Sequence, residues 1–175
     1  MRLNSVLRLI LDYRYDSPFS SAVPTNLDRI HMTTTETDIA THEWWERYKE
    51  VVNTDPEMKV RGHDHFDENF AVTIGDEQYL IKVDAGMITD IVPNPDMNTD
   101  WAVGVEGSQK AWEEFMQENP PAHNNEIIAS NYRTAVRGEE DHLRLTGSNK
   151  TFFQNLRPIQ RSLDLMRVAH NKGGS

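Results

Sequence analysis

The order of short alternating segments between residues 66 and 168 is the feature that most constrains how this chain folds. Four runs alternate apolar with polar residues, at positions 70–74, 79–83, 87–92 and 101–105. Gly75-Asp76 and Ala85-Gly86 are turn signals between the first three runs. Short connections between alternating runs are typical of antiparallel hairpins. The sequence therefore predicts a small, mostly antiparallel sheet.

Helical patterns lie on both sides of these runs. Thr41 is a suitable cap for an amphipathic helix that ends before Pro56. Ser108 is a suitable cap for a second helix that reaches about Gln117, and a weaker helical pattern covers residues 125–136. Helices and strands in this order predict an α+β fold.

A fifth alternating run at residues 142–147 leads directly into the last predicted helix. Ser148 is its candidate cap, and one apolar stripe follows its length, formed by Phe152, Leu156, Ile159, Leu163 and Met166. Pro158 either kinks this helix or marks its real start. No catalytic motif interrupts the series, so an apolar helix over a small sheet favours a protein that holds an apolar molecule.

Composition limits the partners of the chain. The 28 Asp and Glu residues outnumber the 18 Lys and Arg residues, for a net charge of −10. An acidic surface repels phosphates, which argues against sequence-independent nucleic-acid binding and against docking on anionic lipid. No run approaches the roughly 18–20 apolar residues that span a bilayer, so no stable membrane insertion is expected. The absence of cysteine excludes disulfides and thiolate metal sites and is usual in the cytoplasm, the predicted location.

The ends of the chain differ from its middle. Residues 1–37 include a turn-rich stretch at 17–24 and a polar run at 33–38, and we expect them to be a disordered N-terminal extension. A start at Met32 is the alternative interpretation. The folded domain is predicted at 38–170, with a disordered tail at 171–175.

Three segments of the sequence, and the order of the predicted helices and strands around them, are similar to those of one known protein family. They are the hairpin at 69–84, the segment 100–105 with the capped helix that bears Trp112 and Phe115, and Leu143–Gly147 followed by two adjacent phenylalanines. Over about residues 40–168 the chain resembles the sterol carrier protein 2 (SCP2-like) family. The strong negative charge departs from the basic or neutral members of that family that work at membranes.

The resemblance implies a five-stranded, mostly antiparallel sheet with helices packed on one face. It also implies a hydrophobic tunnel between sheet and helices that binds a lipid, a sterol or another apolar small molecule, without catalysis and without a cofactor. We expect the tunnel to be lined by Trp101, Phe115, Met116, Phe152, Phe153, Leu156 and Met166. No glycine-rich nucleotide motif is present in the sequence.

Two pairs of adjacent aromatic residues qualify this expectation. Trp44-Trp45 and Phe152-Phe153 cannot each place both rings on one narrow helical stripe. The second ring of each pair must face another surface, a pocket or solvent. An exposed second ring could contact a second copy of the chain, in a homodimer, or another protein. One alternative hypothesis is therefore an accessory domain that binds a protein partner.

The cluster His63-Asp64-His65 supports a different function. Two histidines at i and i+2 of a strand point to the same face, where His142 or a carboxylate could supply a third metal ligand. The alternative hypothesis is a metal-dependent or acid–base enzyme that acts on an apolar substrate through His63 and His65. An exposed polar run before the first strand explains the same residues without any metal.

Overall fold

The computed structural model describes residues 39–172 except Asp64 and Met97. In chain order its elements are α1 (His42–Thr54), α2 (Pro56–Gly62), β1 (Phe70–Ile74), β2 (Glu77–Asp84), β3 (Met87–Pro93), β4 (Val103–Gly107), α3 (Gln109–Met116), α4 (Ile127–Arg137), β5 (Arg144–Gly147), α5 (Asn149–Gln154) and α6 (Leu156–Lys172). The predicted extension at 1–37 lies outside the described residues. Helix α6 includes the first two residues of the predicted tail.

The five strands form one sheet in the order β3-β2-β1-β4-β5. Three of the four pairings are antiparallel and the β1–β4 pairing is parallel. In the centre, Phe70 lies between Ile81 of β2 and Val103 of β4. The predicted α+β fold with a five-stranded, mostly antiparallel sheet is confirmed.

The connection from β3 to β4 is a crossover and not a hairpin. Strand β4 pairs with β1, so the segment 94–102 carries the chain past β2 and β1 before the next strand begins. Pro93 ends β3 and Pro95 follows it, and residues 94–102 form the crossover to β4. Alternation shows that a strand exists, but only the pairing in space decides its neighbour.

One face of the sheet carries the core. Phe70, Val72 and Ile74 of β1 are buried on this face, and Val103 and Val105 of β4 extend it. Buried side chains from α1, α3 and α6 belong to the same hydrophobic cluster. The helices thus cover one face of the sheet, as the resemblance implies.

The predicted caps position the helices over this face. The Oγ atoms of Thr41, Ser108 and Ser148 accept hydrogen bonds from the third residue of each helix, at 3.2, 3.1 and 3.2 Å. The helical conformation is interrupted at Asn155, between α5 and α6. Pro158 lies in the first turn of α6, where a backbone N–H has no partner within the helix, so that the missing N–H of proline costs no hydrogen bond. Pro158 therefore marks the start of a new helix.

Helix α2 is a feature that the sequence pattern did not reveal. Pro56 was expected only to end α1, but it occupies the first turn of α2, and Asp55 caps that helix by accepting a 2.8 Å hydrogen bond from Met58 N. Proline both ends one helix and begins the next. The short helix brings Met58 into the core.

Helix α4 lies along the outer edge of β5. The Ser130 hydroxyl accepts a hydrogen bond from Leu143 N at 2.7 Å, and Asn131 Oδ1 accepts one from Leu145 N at 2.8 Å. Side chains of the helix thus bind two backbone N–H groups at the edge of the sheet. This arrangement limits strand addition at that edge.

Two glycines allow α2 to lie against the turn between β2 and β3. A Cβ atom on Gly86 would lie 2.5 Å from the carbonyl carbon of Gly62, and Gly86 also has a φ of +74°. Side chains are therefore excluded at this contact by both space and backbone conformation.

We expect Gly86→Ala to lower the free energy of unfolding by about 2–5 kcal/mol, because it adds a steric clash to the strain of a left-handed residue. Gly75→Ala is the matched control, since Gly75 also has positive φ but no described atom lies within 4 Å of the added methyl group. It should lose only about 1–2 kcal/mol. Urea denaturation followed by circular dichroism measures both, and equal losses would contradict the close approach of α2.

Candidate ligand-binding site

Four of the seven predicted lining residues come together beneath the sheet. Phe115 and Met116 of α3, Phe152 of α5 and Met166 of α6 are buried in one hydrophobic cluster with the inner face of the sheet. Three residues from α1 and α2 complete the set. We refer to this group as the apolar layer, formed by Trp44, Tyr48, Met58, Phe115, Met116, Phe152 and Met166.

Leu156 lies at the border of the apolar layer. It is half-buried, packs against the core and also lines a surface cleft of about 370 Å³. The other lining residues of this cleft are Glu57, Arg61, Glu126, Ile128, Arg157, Gln160, Arg161 and Asp164. Leu156 is thus a side chain that the core and the cleft share.

The other two predicted lining residues lie elsewhere. The side chain of Phe153 is 60% exposed, with its ring 5.5 Å from that of Phe152. Trp101 precedes β4, and its ring contacts the position where a Cβ atom of Gly104 would lie, on the face of the sheet opposite Val103 and Val105. Trp101 was expected to alternate in phase with those valines, but the strand begins two residues later.

The second ring of the Trp44-Trp45 pair lies inside the protein. Trp45 is buried and packs on Tyr79 of β2 with ring centroids 4.6 Å apart. Trp44 packs edge-to-face on Trp45 at 4.7 Å and stacks on Tyr48 at 5.8 Å. Of the two adjacent pairs, only Phe152-Phe153 therefore exposes its second ring.

Helix α3 is held to the sheet by the indole of Trp112. Its Nε1 donates a 2.7 Å hydrogen bond to the carbonyl oxygen of Thr73 in β1, and its ring packs edge-to-face on Phe115 at 5.7 Å. This bond satisfies a fully buried N–H group and fixes the depth at which Phe115 enters the layer.

Arg167 covers the other side of Phe115. Its guanidinium carbon lies 4.0 Å from the ring centroid, and it donates hydrogen bonds to the carbonyl oxygens of Phe115, Asn124 and Asn125. Burial lowers the pKa of Arg167 and raises the pKa of its ion-pair partner Asp164. The pair closes the rim of the layer near the cleft.

Two hydroxyl groups lie within the apolar layer itself. Tyr48 Oη and Ser162 Oγ are 2.5 Å apart, and both residues are buried. Burial raises the pKa of the Tyr48 phenol, which therefore stays neutral at any physiological pH. Sequence patterns did not single out Ser162, because one serine on an apolar helical stripe carries no signal of its partner.

The indole N–H of Trp44 is also buried, and no described residue accepts a hydrogen bond from it. Trp44 and Trp112 thus differ in one respect. Both are fully buried tryptophans, but only Trp112 has an acceptor for its Nε1 within the described part of the chain.

An ion pair next to the cleft joins the N-cap residue of α2 to helix α6. Arg161 donates two hydrogen bonds to the carboxylate of Asp55, at 3.2 and 2.6 Å, and also contacts Glu57 at 3.0 Å. The hydrogen bond from Arg161 is the main cause that lowers the pKa of Asp55. The same carboxylate caps α2, so the ion pair positions Met58 as well.

The histidines of the alternative hypothesis lie at the end of α2. His63 follows the last residue of that helix, His65 lies in the next turn, and both are exposed. They do not form part of a strand. Among the described residues, no group of three or more His, Asp or Glu side chains is placed to hold a metal ion.

His142 lines a different cleft, of about 500 Å³, together mostly with polar and charged residues. Its Nδ1 is 2.6 Å from Asn124 Oδ1 and its Nε2 is 3.1 Å from Glu139 Oε2. Both ring nitrogens are thus engaged by protein groups far along the chain from His63 and His65. The predicted third metal ligand is not brought to the other two.

The fold is similar to that of solved protein structures. A solution structure of a conserved hypothetical protein from Thermus thermophilus, described as a candidate sterol carrier protein, matches with a TM-score of 0.55, 12% identity and coverage of 76% of this chain and 90% of the other. The crystal structure of sterol carrier protein 2 matches with a TM-score of 0.53 and 12% identity, covering 73% and 95% of the two chains. The chain has the sterol carrier protein 2 fold.

Comparison of sequences adds no further relative, since no protein-family model and no curated protein matches the chain. The two solved structures confirm the resemblance predicted from the sequence at the level of the fold. Within the described residues, no helix combines the length and the hydrophobicity that a membrane span requires.

We expect Trp112→Phe to destabilise the protein by about 1–2 kcal/mol more than Trp44→Phe. Both changes remove the same ring volume from fully buried positions, but only Trp112→Phe breaks a hydrogen bond and leaves the Thr73 carbonyl without its donor. Urea unfolding of the two variants gives the difference directly. Equal losses would show that the bond from Trp112 adds nothing to stability.

We expect Asp55→Asn to lower the free energy of unfolding by about 1–3 kcal/mol at pH 7, since asparagine keeps the cap of α2 but loses the charged bonds to Arg161. The pKa of Asp55 is lowered from 3.8 in the folded state. Its ionised form therefore stabilises the fold above about pH 4, and this contribution disappears as the pH falls through the lowered pKa.

The gap between wild type and Asp55→Asn should accordingly close below pH 4 in urea titrations. Asp141→Asn is the control, because Asp141 pairs with Lys110 on the open surface. Its effect should stay below about 1 kcal/mol at pH 7. A gap for Asp55→Asn that is constant with pH would contradict the role of the carboxylate charge.

Proposed function

We propose that this protein binds a neutral, apolar small molecule, such as a lipid or a sterol, within its apolar layer. The observation that carries the proposal is the composition of that layer, which combines buried aromatic rings with three methionines between sheet and helices. A solved structure of the same fold is named sterol carrier protein 2. The proposed activity is binding alone, with no covalent step.

The methionines make the layer suitable for a guest. Met58, Met116 and Met166 come from three different helices and are all buried. Methionine is unbranched and rotates about three bonds, so it can vacate volume without moving the backbone. A ligand that buries ~300 Å² of apolar surface gains roughly 7–8 kcal/mol before the costs of ordering.

The cleft at Leu156 is the proposed route into the layer. Leu156 is its point of contact with the core, and it is the first residue of α6, directly after the break at Asn155. The junction of two helices can shift with less loss of hydrogen bonds than a helix interior. The exposed ring of Phe153 precedes this junction and would contact a ligand at the surface before uptake.

The lining in this proposal consists of Phe115, Met116, Phe152, Leu156 and Met166. Trp101 is left out, because its ring lies on the opposite face of the sheet. The net charge of −10 favours a neutral ligand over an anionic one, since it repels phosphate and carboxylate groups at long range.

Native mass spectrometry of the purified full-length chain, followed by organic extraction, tests the proposal. We expect a neutral lipid, sterol or related molecule at close to one equivalent, or stoichiometric uptake when the bare protein is incubated with cholesterol or a fluorescent retinoid. A protein that carries nothing and takes up neither probe would overturn the proposal.

A matched pair of variants on α6 locates the site. Met166→Gln adds a polar group of similar size to the layer, and we expect it to weaken probe binding at least fivefold, because the amide has to be desolvated against the ligand. Val168→Gln is the control, since Val168 is 38% exposed on the same helix. Equal affinities in both folded variants, checked by circular dichroism, would exclude the layer as the site.

A further inference from the structure

Among the described residues, the apolar layer contains more buried hydrogen-bond donors than acceptors for them. Tyr48 and Ser162 each carry one hydroxyl hydrogen, but the single contact between them uses only one of the two. Whichever hydroxyl donates, the hydrogen of the other has no acceptor among the described residues. The indole N–H of Trp44 is a second buried donor without an acceptor within the same set of residues.

These two donors lie in the same part of the core. The rings of Trp44 and Tyr48 stack at 5.8 Å with an angle of 13° between their planes, on successive turns of α1. Ser162 joins them from α6, the helix that also carries Met166. Buried polar groups are nearly always hydrogen-bonded, so two unmatched donors in one part of the core point to an acceptor from outside the described residues.

The chemistry of the missing acceptor follows from the donors. A ligand hydroxyl would bring a further donor, and a carboxylate would bring a charge into a layer where Arg167, the cation that packs on Phe115, already binds Asp164 and three carbonyl oxygens. Burial of an unpaired charge is strongly unfavourable. The Tyr48 phenol stays protonated because burial raises its pKa, so it remains available as a donor.

We infer that the Trp44 indole and the Tyr48–Ser162 hydroxyl pair bind a carbonyl oxygen of an otherwise apolar ligand. This inference rests on the proposed function and specifies its ligand as a ketone, aldehyde or ester. The oxygen accepts hydrogen bonds from Trp44 Nε1 and from the free hydroxyl of the pair. The hydrocarbon part of the ligand occupies the space that Met58, Met116 and Met166 release.

Two probes of equal shape test the inference on the full-length protein. They are 2-acetylnaphthalene and 2-isopropenylnaphthalene, which differ only in a carbonyl oxygen that is replaced by a methylene group. We expect Trp44→Phe to weaken binding of the ketone about five- to tenfold while changing the hydrocarbon by less than about twofold, the difference expected for one net hydrogen bond. The double variant Tyr48→Phe/Ser162→Ala should act in the same way.

Trp112→Phe is the control for ring volume, because its Nε1 already has the Thr73 carbonyl as acceptor. It should alter the affinities of both probes by the same factor. As a second readout, the carbonyl stretching band of the bound ketone should move to lower frequency in the wild type and return towards its unbound position in Trp44→Phe.

The outcomes separate the two proposals. If both probes bind but Trp44→Phe and the double variant change them equally, the inference is wrong and the proposed function stands; the donors are then satisfied by a buried water. If the wild type binds neither these probes nor those used above, the proposed function and this inference both fall.

Discussion

The central position of β1 is the constraint on which the rest of the structure depends. Because β1 pairs with β2 on one side and with β4 on the other, Phe70, Val72 and Ile74 lie in the middle of the sheet and need a cover. Helices α1, α3 and α6 supply that cover, and the bond from Trp112 to the Thr73 carbonyl ties it directly to β1. The apolar layer covers the central strand of the sheet, whose inner surface has to be buried.

The layer combines dense packing with an incomplete set of hydrogen bonds. Aromatic rings and methionines fill it, yet Trp44, Tyr48 and Ser162 bring more donors than the described residues have acceptors for. A core selected for stability alone would replace these groups by apolar ones, since an unmatched buried donor costs about 1–3 kcal/mol. Their presence in the core is the observation from which we infer recognition of a ligand oxygen.

Much of the fold could be predicted from local patterns. The caps at Thr41, Ser108 and Ser148 and the runs of alternating residues locate most of the helices and strands, because capping and two-residue periodicity depend only on near neighbours in the chain. Helix α2 escaped prediction, because Pro56 signals the end of one helix and the start of another equally well. The parallel neighbour of β1 escaped it too, because alternation carries no information on which strand lies alongside.

For the candidate site, too, some features could be predicted from local sequence patterns and others only from the tertiary structure. The sequence by itself determined that Phe115, Phe152 and Met166 occupy apolar helical stripes, that the surface is acidic and that thiol chemistry is excluded. Only the tertiary structure decided that Trp101 lies on the far side of the sheet, that Phe153 is exposed, and that Ser162 meets Tyr48 across 114 positions of the chain. The physical reason is that burial of a stripe follows from its own periodicity, whereas a hydrogen bond between distant side chains depends on the packing of whole helices.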